Sequence, residues 1–171
     1  MPANPSPSLA ELLDRGAPRS PDRDTLEAWG RAVGAALPRP AVITLAGDLG
    51  AGKSTLCRMI IQALNPAITD IPSPTFTLVQ QYDTPKGELW HCDLYRLKHP
   101  DEIQELGLED AFHEVITLIE WPEKMGHYLP ADRVDIQLTI NMTSRISRGT
   151  DPLREMTILC EGDVNMDFSG L

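Results

Sequence analysis

One octapeptide constrains the fold of this chain more than any other feature. Gly47-Asp-Leu-Gly-Ala-Gly-Lys-Ser54 satisfies the pattern G-x-x-x-x-G-K-[ST] in full. Gly47, Gly50 and Gly52 permit backbone angles closed to other residues and let the chain approach an anion with no Cβ in the way. The N–H groups of such a loop converge on phosphate oxygens, and a helix beginning at its end adds its positive pole. Lys53 can reach the β- and γ-phosphates, Ser54 supplies a hydroxyl for Mg²⁺, and Thr55 is a neighbouring polar contact. The flanks agree. Ala41-Val-Ile-Thr-Leu-Ala46 reads as a buried strand, and Lys53 to about Leu64 reads as a helix ended by Asn65-Pro66. The expected nucleotide contacts are therefore Gly47, Asp48, Leu49, Gly50, Ala51, Gly52, Lys53, Ser54 and Thr55.

The remaining pattern predicts the rest of an α/β domain. Residues 1–23 hold five of the 15 prolines and read as a flexible extension, with at most one short helix capped by Ser8 and Glu11. From Asp24 the pair Asp24 and Glu27 has capping-box spacing, and Leu26, Trp29, Val33 and Leu37 recur at helical intervals until Pro38 and Pro40. Thr77–Tyr82 and Glu88–Asp93 read as a hairpin around the turn Thr84-Pro-Lys-Gly87. Residues 100–114 are acidic and helix-prone, and Val115–Ile119 is a second apolar run that ends in Glu120 before Pro122. Val134, Ile136, Leu138 and Ile140 alternate with polar residues, a half-exposed strand to which Met156–Cys160 can pair. The expectation is a P-loop three-layer sandwich on a mixed central sheet, spanning 24–161, with 162–171 as a tail.

Charge and cysteine use narrow the classes further. Fifteen Lys+Arg against 25 Asp+Glu give a net charge of −10, which argues against broad attachment to a nucleic-acid backbone or an anionic membrane. Cys57, Cys92 and Cys160 lie far apart and form no CxxC pair, as expected of reduced thiols. No apolar run approaches bilayer length, and no basic-then-apolar start resembles a signal peptide, so a cytoplasmic chain is expected.

A phosphate loop needs acidic partners, because Mg²⁺ takes oxygen ligands and attacking water must be positioned. Asp93 and Glu120 each follow an apolar run, where the ends of sheet strands gather beside the loop, and either suits the Walker B role. Thr75 lies in Ser73-Pro-Thr-Phe-Thr77, about twenty residues past the loop, where a threonine can sense the γ-phosphate; a rigid turn is the alternative. No Asn-Lys-x-Asp guanine reader occurs, which favours ATP over GTP.

Four segments occur in order: Gly47 to Thr55, Ser73-Pro-Thr-Phe-Thr-Leu78, Asp93-Leu-Tyr-Arg-Leu97 and Glu120-Trp-Pro122. Together they resemble the TsaE (YjeE) family, the bacterial ATPase subunit of tRNA threonylcarbamoyladenosine synthesis, over about residues 24–160. The resemblance implies a P-loop fold with weak Mg²⁺-dependent ATP hydrolysis. It also implies work beside the paralogous transferase subunits TsaD and TsaB, which modify adenosine 37 of tRNAs reading ANN codons. Hydrolysis would reset that complex, with tRNA met only indirectly. Carried over, Lys53 holds phosphates, Ser54 and Glu120 ligate Mg²⁺, Thr75 is the switch threonine, and Asp93 completes the acidic pair. Trp121 packs beside the nucleotide or faces a partner; a buried anchor for the strand end is the alternative. Ser54 stands where many members have threonine and keeps the hydroxyl; Cys92 replaces an aromatic.

Two other readings compete. A P-loop small-molecule kinase would use an arginine-bearing lid, for which only the 142–155 loop is available. A nucleotide-gated binding module would bind ATP and survive neutralisation of Asp93 or Glu120. Arg145, Arg148 and Arg154 read as solvated loop charge, and the acidic residues of 101–114 as solvated helix faces. His91 and Asp93 share one strand face with Cys92 on the other, so those three cannot form a metal cluster; His91 is expected to pack or hydrogen-bond. His99, His113 and His127 stand alone.

Overall fold

The structure is a computed structural model and describes residues 23–141 and 153–164. The extension before residue 23, the tail beyond 164, and Arg145 and Arg148 lie outside the described residues. So do the side chains of Asp24, Leu26 and Arg154.

Six strands form one sheet: β1 (Ala41–Gly47), β2 (Val79–Thr84), β3 (Gly87–Asp93), β4 (Ile116–Glu120), β5 (Arg133–Asn141) and β6 (Leu153–Glu161). Their order is β2-β3-β4-β1-β5-β6. β3, β4, β1 and β5 run parallel, while β2 and β6 are antiparallel edges formed by the two hairpins. The mixed sheet is thus a parallel centre with a reversed strand on each side, as the two turn-linked strand pairs predict.

Alternation along the strands serves two cores. Ile43 and Leu45 of β1, Leu89 of β3 and Leu118 of β4 face α1 (Arg23–Ala36) and α2 (Lys53–Leu64), where Trp29, Leu56 and Ile60 are buried. Val42, Cys92 and Ile119 face the opposite layer. That layer holds α3 (Glu102–Glu105), α4 (Leu108–Glu114) and a 3₁₀ helix (Pro122–Tyr128), which contribute Ile103, Phe112 and Met125. The result is three layers, α/β/α.

Two local devices set the first layer. A Cβ on Gly30 would lie 2.6 Å from Met59 Cβ, so glycine lets α1 and α2 approach closely. The Lys86 ammonium, from the β2–β3 turn, donates to Ala35 O at 2.6 Å and Leu37 O at 2.9 Å. It thereby satisfies carbonyls at the end of α1 that the helix itself leaves open.

Three expected boundaries shift. β6 runs Leu153–Glu161 rather than Met156–Cys160. β2 begins at Val79 rather than Thr77, because Leu78 turns at φ 65° and its N–H bonds Pro74 O at 2.7 Å. The helical stretch 100–114 divides at Gly107, whose φ of 69° ends one short helix and starts the next. No described helix is long and apolar enough to cross a membrane.

Candidate active site

Parallel strands bring Gly47, Asp93 and Glu120 to one edge of the sheet, since each is the last residue of β1, β3 or β4. Asp93 and Glu120 are direct register partners, and Leu45 pairs with Glu120 on the other side. The loop between β1 and α2 closes over this edge. Gly47 takes φ 141°, where a Cβ would collide with Leu138 O, and Gly50 and Gly52 take φ 80° and 109°. The glycine requirement read from the motif is therefore a geometric one. Leu56 N to Gly52 O at 2.9 Å is the first bond inside α2. The amides of Lys53, Ser54 and Thr55 thus precede any intrahelical acceptor, and Gly52 offers no side-chain cap.

Lys53 is 4% exposed. Its Nζ donates to Gly47 O at 2.6 Å and Asp48 O at 2.9 Å, and lies 3.8 Å from the centroid of the Trp121 ring. Burial pulls its ammonium below the ordinary 10.5; Glu120, then Glu123, Asp93 and Asp48, favour the charge and limit the fall. Trp121 sits at φ 63°, its N–H extending the β4–β1 ladder to Leu45 O at 3.2 Å, and its ring tilts against Tyr95 at 5.0 Å. Trp121 faces the phosphate-loop lysine from the end of β4.

Two carboxylates each take a hydroxyl. Ser54 Oγ donates to Glu120 Oε2 at 2.8 Å, and His91 Nε2 meets Glu120 Oε1 at 2.8 Å. Thr75 Oγ1 donates to Asp93 Oδ2 at 2.8 Å, with Ser73 Oγ 3.0 Å from Thr75 Oγ1 and 3.4 Å from Asp93 Oδ2. Tyr95 N donates to Asp93 Oδ1 at 3.1 Å. Oxygen donors from Ser54, Glu120 and Asp93 converge beside a buried ammonium, which fits a hard divalent cation accompanying a polyphosphate.

A cleft of about 360 Å³ is lined by Leu49, Gly50, Gly52, Lys53, Ser54, Thr55, Thr75, Asp93, Tyr95, Glu120 and Trp121. All four expected catalytic side chains, Lys53, Thr75, Asp93 and Glu120, line it together. Of the nine expected nucleotide contacts, Gly47, Asp48 and Ala51 do not. The first two present their carbonyls to Lys53, and Ala51 is buried with its N–H on Asp48 O at 3.0 Å. Sequence reasoning missed the partnership of His91 with Glu120, the Ser73 hydroxyl and the Tyr95 ring. Strand periodicity places His91 on the face of Asp93, but its reach to Glu120 depends on the β3–β4 register. All three cysteines are free.

Comparison with known proteins converges on one family. The profile "Threonylcarbamoyl adenosine biosynthesis protein TsaE" matches residues 20–148. The chain belongs to the TsaE family. A TsaE protein from Rickettsia bellii, described as a "tRNA threonylcarbamoyladenosine biosynthesis protein", is 46% identical over 112 residues, 66% of this chain and 78% of that protein. Its Bacillus subtilis counterpart is 38% identical over 132 residues, covering 75% of this chain and 76% of that one. Among solved structures, Bacillus subtilis YdiB superimposes with a TM-score of 0.59 at 31% identity, over 84% of each chain. The TsaE assignment accords with the P-loop architecture described above, which the YdiB likeness shares.

Proposed function

We propose that this chain is the ATPase subunit of tRNA threonylcarbamoyladenosine synthesis, acting beside two transferase subunits of the TsaD and TsaB kind. The observation that carries the reading is the pairing of Ser54 with Glu120 and of Thr75 with Asp93 in one cleft with the buried Lys53. A glycine turn that bound no nucleotide would have no need of two buried carboxylates and a buried lysine, since each desolvated charge costs stability.

In this reading ATP lies along the loop from Gly47 to Thr55, its phosphates on the amides at the start of α2. Lys53 leaves the Gly47 and Asp48 carbonyls for phosphate oxygens. Ser54 and Glu120 would hold Mg²⁺, which when bound neutralises charge developing on the phosphates. Asp93 orients the attacking water, and Thr75, tethered to Asp93, brings the 73–78 segment to the γ-phosphate. Hydrolysis resets the transferase complex, while tRNA is held by that complex; a net charge of −10 supports the division of labour. A cytoplasmic place of action follows from the substrate.

The test is steady-state ATP hydrolysis with Mg²⁺, for this chain alone and with the two purified transferase subunits, using Lys53→Ala as control. A slow basal rate that rises with the partners and vanishes in the variant supports the reading. A rate indifferent to the partners overturns it and redirects the search to phosphate acceptors of a small-molecule kinase.

A further inference from the structure

Glu120 is bound from two sides, and only Ser54 is explained by the cleft. The other donor, His91, is fully buried on β3 beneath the site, two residues before Asp93. We propose that His91 is a positioning residue for Glu120, fixing one carboxylate oxygen so that the other faces Ser54 and the cleft. The inference rests on the proposed role of Glu120 as a metal-holding carboxylate.

The hydrogen-bond inventory assigns the tautomer. His91 Nδ1 has no partner among the described residues, whereas Nε2 lies 2.8 Å from Glu120 Oε1. A proton on Nδ1 would be a buried, unsatisfied donor, and would leave a bare Nε2 lone pair against a carboxylate oxygen. Both penalties vanish when Nε2 carries the proton and donates it to Oε1. A free glutamate has three rotatable side-chain bonds and two equivalent oxygens. Pinning Oε1 selects one rotamer, and Oε2 then meets Ser54 Oγ at 2.8 Å.

The same pocket resembles a thiophilic metal site, because ligand atoms of Cys57, His91 and Glu120 lie within 4.8 Å of one another. In the metal-free protein the pair is already closed: His91 Nε2 is committed to Glu120 Oε1 at 2.8 Å. Complete burial pushes the neighbouring Cys57 thiol well above its ordinary value, so it stands beside the pair as a neutral group.

Three measurements on the full chain test the assignment. ¹⁵N-histidine NMR should show His91 protonated at Nε2 and bare at Nδ1; the opposite tautomer overturns the proposal. His91→Leu removes the donor, and His91→Gln keeps an N–H near the same place. In His91→Leu, Mn²⁺ affinity in the presence of ADP, read by electron paramagnetic resonance, should fall roughly 10–100-fold, as should kcat at fixed Mg²⁺. The KM for ATP should stay within about threefold, and His91→Gln should recover most of both losses. A folded His91→Leu with wild-type Mn²⁺ affinity overturns the proposal. Should His91→Leu not fold, His91→Gln and the NMR tautomer decide it, because a His91→Gln with lost Mn²⁺ affinity contradicts a donor role. Glu120→Gln, run in parallel, separates the two levels. If it keeps Mn²⁺ affinity, the reading of Glu120 fails; if it loses affinity while His91→Leu does not, only the positioning role fails.

Discussion

Glu120 offers two substitutions that separate its structural from its chemical part. It is 2% exposed and accepts two bonds of 2.8 Å, from Ser54 Oγ and His91 Nε2. Glutamine preserves this arrangement: its carbonyl accepts from His91, and its amide donates to Ser54 Oγ. What it removes is one negative charge. Glu120→Gln should therefore melt within about 2 °C of wild type, the span of an ordinary surface change. Alanine removes both acceptors and leaves the buried His91 N–H unsatisfied, at about 1–3 kcal/mol. For a domain of this size each kcal/mol lowers Tm by roughly 2–4 °C, so Glu120→Ala should melt about 2–12 °C lower. Hydrolysis should fall in both, because several kcal/mol of charge stabilisation at the phosphates is lost, at least roughly 10²-fold in kcat. The assays are thermal melts by circular dichroism and phosphate release at saturating ATP. Wild-type turnover in Glu120→Gln would refute the metal-holding role, and coincident melts for the two variants would refute the hydrogen-bond account.

Four further outcomes follow from the structure. Thr75→Ala should bind ATP within about threefold of wild type and lose hydrolysis, a kcat effect without a matching KM effect; wild-type turnover would reduce Thr75 to a structural turn. Burial holds the Lys53 ammonium below the ordinary 10.5, so ATP affinity should fall as pH rises through that lowered value, whereas Lys53→Arg, if it binds, should give a flat profile. Across the same window the unfolded chain still holds the proton that the folded chain has released, so stability contributed by this group rises with pH, which melts at increasing pH will read. Gly30→Ala should cost about 1–2 kcal/mol net, since overpacking against Met59 outweighs the gain in helix propensity. Its Tm should drop while the KM for ATP stays unchanged.

How far the site was legible depends on which contacts are local in sequence. The phosphate loop, its strand and its helix are contiguous, and periodicity and glycine spacing place them within a residue of where they stand. The hairpin was legible from Thr84-Pro-Lys-Gly87 because turn chemistry is local; β5 was legible from its alternation, and β6 only in part, as Met156–Cys160 of Leu153–Glu161. Leu78 was not: the run from Thr77 to Tyr82 reads as continuous strand. Only the Pro74–Leu78 bond and the pairing of Leu78 O with Asp93 N at 2.9 Å make it a turn. The split at Gly107 was hidden within a helix-prone stretch for the same reason, one residue of positive φ overriding the average. Trp121 shows the limit most clearly. Its left-handed backbone and its ring over Lys53 depend on β4 ending beside β1, which no local pattern encodes.

Asp93 and Glu120 look alike in sequence and sit opposite each other in register, yet their carboxylates have different partners. Glu120 is bound to α2 through Ser54 and to β3 through His91. Asp93 is bound to the 73–78 segment, through Thr75, Ser73 and the Leu78 carbonyl. The Asp93 carboxylate therefore has partners in that segment, and neither side-chain partner given for the Glu120 carboxylate lies there. In the proposed cycle this suits a subunit that must keep its nucleotide and metal while the timing of hydrolysis is set elsewhere. In that proposal the metal-holding carboxylate, Glu120, is anchored to the core. Asp93, to which the proposal gives the attacking water, is tied to a segment whose Phe76 is 82% exposed.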